Sequence, residues 1–122
     1  MSVPISALVL YVKDIPRVQA FYLRHFGFVP VPSSISGWQL LTNAEGGCSI
    51  ALHQAAKSQK SGAAIKIVFS VPDVKTFIAK AKKQGFEFGA IHEAHNYCFA
   101  NAKDPAGNSI SISDRAYRVK HA

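Results

Sequence analysis

An internal repeat constrains the fold of this sequence more than any other feature. Two pairs of segments and one pair of aromatic residues recur at a spacing of 59 or 60 residues: 12–15 (VKDI) with 71–74 (VPDV), 47–52 (GCSIAL) with 107–112 (GNSISI), and Trp38 with Tyr97. Self-similarity at a fixed period is typical of a fold assembled from copies of one structural unit. The sequence therefore predicts two such units in tandem.

Each copy begins with an apolar strand and a helix. The strands are predicted over Ser6–Val12 and Ile65–Val71, and the helices over Ile15–Phe26 and Val74–Gln84. An aspartate precedes each helix, and its carboxylate can accept hydrogen bonds from the free amides of the first turn. A Gly-Phe pair follows each helix, and glycine readily adopts the left-handed conformation that ends helices. Apolar residues recur along both helices at the spacing of a face that lies on a sheet.

Three further strands follow each helix and complete a βαβββ module. They are predicted over Phe28–Pro32, Gly37–Thr42 and Cys48–His53 in the first copy, and over Phe86–Ile91, Tyr97–Asn101 and Asn108–Ser113 in the second. Residues typical of hairpin turns precede the last strand of each copy. The predicted fold class is α+β, with two tandem βαβββ modules.

The length of 122 residues fits one domain. We predict a single domain over residues 1–122, with module 1 at about 5–54, a linker at 55–63, module 2 at about 64–114 and a basic tail at 115–122. No apolar run reaches the roughly 18 residues of a membrane span. Since the first residues also lack the pattern of a signal peptide, we expect a cytoplasmic protein with no membrane partner.

The net charge of +7 permits an anionic partner. The positive residues are distributed over the second helix, the linker and the tail, and no nucleic-acid-binding motif accompanies them. We therefore predict a solvated basic surface and no nucleic acid partner.

Period-two alternation sorts the strand residues into two faces. In segment 109–113 (SISIS) the two isoleucines face the helices, so the three serines face the other side. The same argument places Tyr11 and His53 away from the helix in the first module, and Lys66 in the second. Such a mixture favours a wet concave binding site. The alternative is a sheet face that only meets solvent.

The doubled pattern of apolar strand, V-x-D, helix and Gly-Phe, with D-P-A-G-N at 104–108 before the last strand, resembles the vicinal oxygen chelate superfamily. This superfamily includes glyoxalase I, extradiol dioxygenases, and the fosfomycin- and bleomycin-resistance proteins. The resemblance covers Ser6 to Asp114 and implies paired modules whose mixed sheet curls into a cup. It also implies a homodimer, because many short members complete the cup with a second chain.

Metal-using members of the superfamily carry His, Gln or Glu on the first and last strands of each module. The resemblance places these four positions on Ala7, Ala51, Lys66 and Ser111. Alanine has no donor atom, an ammonium group has no lone pair, and a serine hydroxyl is a weak ligand. Because divalent first-row metals bind imidazole, carboxylate or thiolate, we predict no metal and no cofactor. This departure argues against glyoxalase, dioxygenase and fosfomycin-transferase chemistry.

The function that remains is metal-free binding of a small molecule, similar to the bleomycin-resistance branch, in a cup at a dimer interface. Bleomycin is cationic and this chain is basic, so we expect a neutral or anionic ligand on which aromatic rings stack. The predicted ligand-binding residues are Tyr11, Trp38, His53, Lys66, Tyr97 and Ser111.

Two alternatives stay open. One is a glyoxalase-like lyase or dioxygenase-like oxidoreductase that uses other ligands, with His53, or with His92, Glu93 and His95 as a two-His, one-carboxylate set. We favour the interpretation of His92 and His95 as ordinary loop residues. The other concerns Lys66. In one interpretation it supplies, with Ser111 beside it, the positive charge that a metal supplies in relatives. In the other interpretation its amine only extends into water.

Overall fold

The structure is a computed structural model that describes Ser2, residues 5–60 and residues 65–118. Parts of two predicted regions lie outside the described residues, namely 61–64 at the junction of the linker with module 2, and 119–122 at the end of the basic tail.

The chain divides into two compact units, residues 1–61 and 62–122, and each unit contains one βαβββ module. The division lies within the interval 55–63, which the sequence indicates as a linker. The predicted repeat is therefore present in the structure as two copies of one arrangement of strands and helix.

The first unit consists of strand β1, helix α1 and strands β2 to β4, over Ala7–Val12, Ile15–Phe26, Phe28–Pro30, Trp38–Asn43 and Ser49–Gln54. Its four strands form one sheet in the order β1-β4-β3-β2. Strand β1 runs parallel to β4, and the other pairs are antiparallel. Helix α1 contacts β2, β3 and β4, so it covers one face of this mixed sheet.

The second unit consists of strand β5, helix α2, strands β6 to β8 and a short helix α3, over Lys66–Ser70, Val74–Lys83, His92–Ala94, Tyr97–Lys103, Ser109–Ser113 and Arg115–Arg118. The sheet order β5-β8-β7-β6 repeats that of the first unit, with one parallel pair and two antiparallel pairs. The α+β class with two βαβββ modules is confirmed.

The aspartates before the two helices cap them as predicted. Asp14 accepts a hydrogen bond from the amide of Arg17 at 3.1 Å, and Asp73 accepts one from the amide of Thr76 at 3.0 Å. The bond from Thr76 lowers the pKa of Asp73, because it stabilises the charged carboxylate. Gly27 follows α1 at a φ of 70°, in the left-handed conformation expected of a helix stop.

Exposure along the first strand of each unit confirms the predicted alternation, because exposed and less exposed residues alternate in β1 and in β5. The side chains of Ile50 and Leu52 in β4, and of Ile110 and Ile112 in β8, are essentially inaccessible to solvent. Every second strand residue therefore faces the helix, and the residues between them lie on the opposite face.

The strand predicted over Phe86–Ile91 is wrong, because β6 covers His92–Ala94 instead. Phe86 and Phe88 mimic a strand pattern, but their rings contact each other at 5.1 Å, and Phe88 contacts Phe77 of α2 at 5.9 Å. Phe88 therefore packs against the helix. The amide of Gly89 donates a hydrogen bond to the backbone carbonyl oxygen of Asn101 at 2.8 Å, but the paired strand β6 begins only at His92. As a result, His92 lies in a strand and not in the predicted loop.

Several other element ends differ from the prediction by one or two residues. The difference that matters for the site is in β7, which continues through Ala102 and Lys103 where the sequence predicted an end at Asn101. Helix α2 ends at Lys83, one residue earlier than predicted. Helix α3 lies in the predicted basic tail, where no element was expected. Among the described residues, no helix is both long enough and apolar enough to cross a membrane.

Candidate functional site

Three predicted ligand-binding residues lie side by side on the first sheet, on the face opposite α1. The strand register pairs Tyr11 of β1 with His53 of β4, and His53 with Trp38 of β3. The ring centroids are 5.0 Å apart for Tyr11 and His53, and 6.1 Å apart for His53 and Trp38. We call Tyr11, Trp38 and His53 the aromatic face.

The aromatic face is accessible to a ligand. Tyr11 is 45% exposed, His53 is exposed, and Trp38 is half-buried. The Nδ1 atom of His53 lies 2.9 Å from the backbone carbonyl oxygen of Gln54. Because a carbonyl oxygen only accepts, Nδ1 carries the hydrogen in this contact, and a neutral ring then presents Nε2 as an acceptor. The face thus combines ring surfaces with one polar atom of fixed position.

Beside the aromatic face, the next row of the sheet is apolar. Val9, Ala51 and Leu40 lie next to one another on β1, β4 and β3. Ala51 is completely buried between its larger neighbours, whereas Val9 is 45% exposed. An apolar row next to aromatic rings suits the hydrophobic part of a small organic ligand.

The corresponding face of the second sheet is polar and positively charged. Lys66, Ser109 and Lys103 form one row across β5, β8 and β7. The Nζ atom of Lys66 donates a hydrogen bond to Oδ1 of Asn101 at 3.0 Å, and Nζ of Lys103 donates to Oγ of Ser109 at 2.8 Å. We call Lys66, Asn101, Lys103 and Ser109 the lysine face.

Lys66 could be predicted from the sequence, but the partner of its ammonium group could not. The predicted neighbour Ser111 lies in the adjacent row of the same face, and the ammonium group of Lys66 bonds to Asn101. Lys103 was missed because the predicted strand ended two residues too early. Alternation along β7 from Tyr97 would have placed Asn101 and Lys103 on the same face, had the strand been extended.

Ser111 lies in the row next to Lys66, but its side chain is only 3% exposed. Its hydroxyl group donates to the carbonyl oxygen of Ala100 at 3.1 Å and thus bonds to the backbone of the neighbouring strand. A role of Ser111 in ligand binding stays a prediction.

The predicted equivalence of Tyr97 and Trp38 is wrong. Trp38 pairs with His53 of β4, and the residue that pairs with the corresponding Ser113 of β8 is Phe99, so Phe99 has the place of Trp38 and Tyr97 lies two residues before it. The guanidinium carbon of Arg115, from α3, lies 5.8 Å from the centre of the Tyr97 ring. On the strand, the ring neighbours Phe99 at 6.3 Å. A cation within about 6 Å of an aromatic face interacts favourably with it, so α3 is held partly through Tyr97.

The two buried carboxylates of the second unit bind its own backbone and side chains. Asp114 accepts from the amide of Cys98 at 2.8 Å and from Nε of Arg118 at 3.2 Å. Asp104 accepts from the amides of Ala106 and Asn108 in the turn before β8. Both carboxylates therefore have a structural role in the loops at the ends of β7 and β8.

The family model described as the Glyoxalase/Bleomycin resistance protein/Dioxygenase superfamily matches residues 5–112. The chain belongs to this superfamily. The comparison with curated protein sequences found no match.

Three solved structures are similar to this chain in fold. TnmS3, an antibiotic binding protein from Streptomyces sp. CB03234, superposes with a TM-score of 0.76 at 17% identity, over 92% of this chain and 96% of TnmS3. A family enzyme from Burkholderia phytofirmans PsJN gives 0.74 at 23% identity, over 91% and 98% of the two chains. Lactoylglutathione lyase from Agrobacterium tumefaciens gives 0.73 at 20% identity, over 92% and 93%.

The four residues that the resemblance assigns to metal positions do not have the chemistry of metal ligands. Ala7 and Ala51 have no donor atom, the ammonium group of Lys66 bonds to Asn101, and the hydroxyl of Ser111 bonds to a backbone carbonyl. Within the described part of the chain, no group of three or more His, Cys, Asp or Glu side chains is arranged to hold a metal.

The geometry of β6 also argues against the alternative metal-ligand set of His92, Glu93 and His95. His92 pairs with Phe99 and Glu93 pairs with Cys98, so the two residues are consecutive within one strand. Consecutive strand residues point to opposite faces of a sheet. The imidazole of His92 and the carboxylate of Glu93 therefore lie on different sides of β6.

Proposed function

We propose that this protein binds a small organic molecule without a metal ion, and that the aromatic face of the first sheet contacts the ligand. The observation that carries the proposal is the row of accessible rings formed by Tyr11, His53 and Trp38. Aromatic side chains provide a large contact area at a low cost in conformational entropy, and they stack on planar ligands.

The metal positions support binding over metal-dependent catalysis. Of the four positions, two are alanines that offer no ligand atom, and Lys66 carries a positive charge that repels a cation. TnmS3, which shares the fold, is described as an antibiotic binding protein. We do not propose the enzymatic alternative through His92 and Glu93, because these residues face opposite sides of β6.

The charge of the chain restricts the ligand further. A net charge of +7 disfavours the approach of a cationic molecule and favours a neutral or anionic one. We therefore propose a neutral or anionic ligand with at least one aromatic ring.

Fluorescence titration tests this proposal, because Trp38 is the only tryptophan of the chain and lies in the aromatic face. We expect 2-naphthol and 2-naphthoate to change the emission of Trp38 in a saturable way, equally with and without EDTA. Tyr11→Ala should weaken binding about tenfold, since a stacking ring contributes on the order of 1 kcal/mol beyond the area that it buries.

Tyr117→Ala is the matched control, because Tyr117 is a 61% exposed tyrosine on α3, in the second unit. This variant should change the affinity less than twofold. The proposal is wrong if neither naphthalene compound gives a saturable response, or if EDTA abolishes the response.

We also propose that the protein forms a homodimer through its exposed apolar strand edges. In each sheet the first strand lies at an edge, and it carries an exposed valine, Val9 at 45% in β1 and Val68 at 58% in β5. Exposed apolar side chains on an edge strand favour association with another chain.

Sedimentation velocity of the purified protein tests the dimer. The expected mass is twice the 13.2 kDa of one chain. Val9→Asp should shift the equilibrium to monomer, because it would bury a charge at the interface. Ile35→Asp is the control, at a 65% exposed isoleucine between β2 and β3, outside the edge strands. A monomeric wild type at about 100 μM, well above a micromolar Kd, would contradict the proposal.

A further inference from the structure

We propose that the lysine face of the second sheet binds an anionic group, a carboxylate or a phosphate, between Lys66 and Lys103. This inference goes beyond the proposed function, because it concerns the second unit by itself and names the chemical class of group that this unit binds. It is carried by the placement of the two lysines, by the partners of their ammonium groups and by the donors beside them.

The two lysines flank one strand. Lys66 of β5 and Lys103 of β7 are both paired with Ser109 of the central strand β8, so they lie two strand spacings apart, about 10 Å. Both side chains lean toward β8, since Lys103 bonds to Ser109 and Lys66 reaches past β8 to Asn101. Two flexible lysine side chains at this separation can close on one anion.

The positive charge of the lysine face is not neutralised by the protein. Both ammonium groups donate to neutral oxygen atoms, Oδ1 of Asn101 and Oγ of Ser109. Among the described residues, neither Lys66 nor Lys103 forms an ion pair with a carboxylate. An anion between them would replace the neutral acceptor of each ammonium group by a charged one, so that both partners of the hydrogen bond carry charge.

The carboxylates of the second unit that lie near these strands are already bound elsewhere. Asp114 bonds to Cys98 and Arg118, and Asp104 bonds within its own turn. His92 pairs with Phe99, which lies on the same face of β7 as Asn101 and Lys103. Glu93, the next residue of β6, therefore lies on the opposite face of the sheet, away from the two lysines. The site thus lacks an acidic side chain of the second sheet that would compete with an anionic ligand.

Asn101 adds a donor of the right type. Because an ammonium group can only donate, Asn101 must present its oxygen to Lys66, and its Nδ2 group then points away from that bond. Among the described residues, this Nδ2 group forms no hydrogen bond. Two ammonium groups and one amide N–H are a donor set that matches the several acceptor oxygens of a carboxylate or phosphate.

Titration of ¹⁵N-labelled protein with inorganic phosphate and with sodium acetate, at constant ionic strength in chloride, tests the site by NMR. We expect the amide signals of Lys66, Lys103 and Ser109 to shift in a saturable way. Lys66→Gln and Lys103→Gln should each weaken the apparent affinity about tenfold, which is the loss of one hydrogen bond to a charged group.

Lys80→Gln on the exposed surface of α2 is the matched control, since it removes the same charge at a distance from the row. It should change the affinity less than twofold, and circular dichroism should show that all three variants are folded. A response to phosphate alone assigns the site to phosphate groups, whereas a response to both anions admits carboxylates.

The inference is overturned if neither anion shifts these signals, or if the signals of the α2 lysines shift as much. It is also overturned if a variant that combines Lys66→Gln with Lys103→Gln binds the anion like the wild type. Failure of the proposed ligand binding at the aromatic face would be seen in a different measurement, the fluorescence of Trp38. Uncharged 2-naphthol reports on Trp38 in the first unit, so its response should persist in Lys66→Gln. Loss of the Trp38 response in wild type with retained phosphate shifts would reject the aromatic face and keep the anion site.

Discussion

Ile112→Ala is expected to lower the free energy of unfolding by about 3 kcal/mol, within the range of 2–5 kcal/mol typical of such truncations. Ile112 lies on the central strand β8, between Phe69 of β5 and Ala100 of β7, and solvent does not reach its side chain. Removing three carbon atoms there loses the free energy of apolar burial and leaves a cavity that the sheet cannot fill, because its neighbours are held by the strand register.

Urea unfolding followed by circular dichroism measures this effect, provided that the m-value stays constant. Two further variants, with smaller expected losses in the free energy of unfolding, serve for comparison. Ile112→Val removes one methyl group and should cost about 1 kcal/mol, whereas Ile35→Ala, at a 65% exposed isoleucine, should cost less than about 0.5 kcal/mol. Equal losses at Ile112 and Ile35 would contradict the assignment of β8 to the core.

Asp104→Ala should destabilise the protein by about 2 kcal/mol, because it leaves three part-buried donors without an acceptor. The carboxylate of Asp104 is 4% exposed, and it accepts from the amide of Ala106 at 2.9 Å and from the amide of Asn108 at 2.8 Å. Its second oxygen accepts from the side chain of Asn108 at 3.1 Å. These bonds hold the turn that leads into β8.

Thermal and urea unfolding of Asp104→Asn separate the charge from the geometry. Asparagine keeps one acceptor oxygen, so this variant should lose less stability than Asp104→Ala. Asn43→Ala is the comparison in the first module, where Asn43 accepts from the amide of Glu45 at 2.9 Å at a more exposed turn. A loss in Asp104→Ala no larger than that in Asn43→Ala would show that burial of the turn contributes little.

The two units show how one repeated fold carries different side chains on equivalent faces. The first sheet presents an aromatic face with Tyr11, His53 and Trp38, and the second presents a lysine face with Lys66 and Lys103. Strand order is the same in both sheets, because it depends on the backbone and on the residues that face the helices. The outer strands differ in register, since β2 pairs with the end of β3 whereas β6 pairs with the start of β7. The residues on the opposite face are free to vary, and there the two copies have diverged.

The features that the sequence predicted correctly depend on local physical chemistry. The helix caps at Asp14 and Asp73 need only an acceptor three residues before a free amide. The sorting of Ile110 and Ile112 from the serines between them needs only the period of a strand. The repeat could be recognised because both copies preserve these local patterns.

Only the tertiary structure determined which side chains contact each other across elements distant in sequence. Phe86 alternates with Phe88 as in a strand, yet both lie outside the strands, with their rings in contact and Phe88 against Phe77 of α2. The contact of Lys66 with Asn101 joins residues that are 35 positions apart, and it depends on the register of β5 and β7 against β8. Register is set by hydrogen bonds between strands distant in sequence and by the fit of buried side chains, so the pattern of a single segment does not contain it.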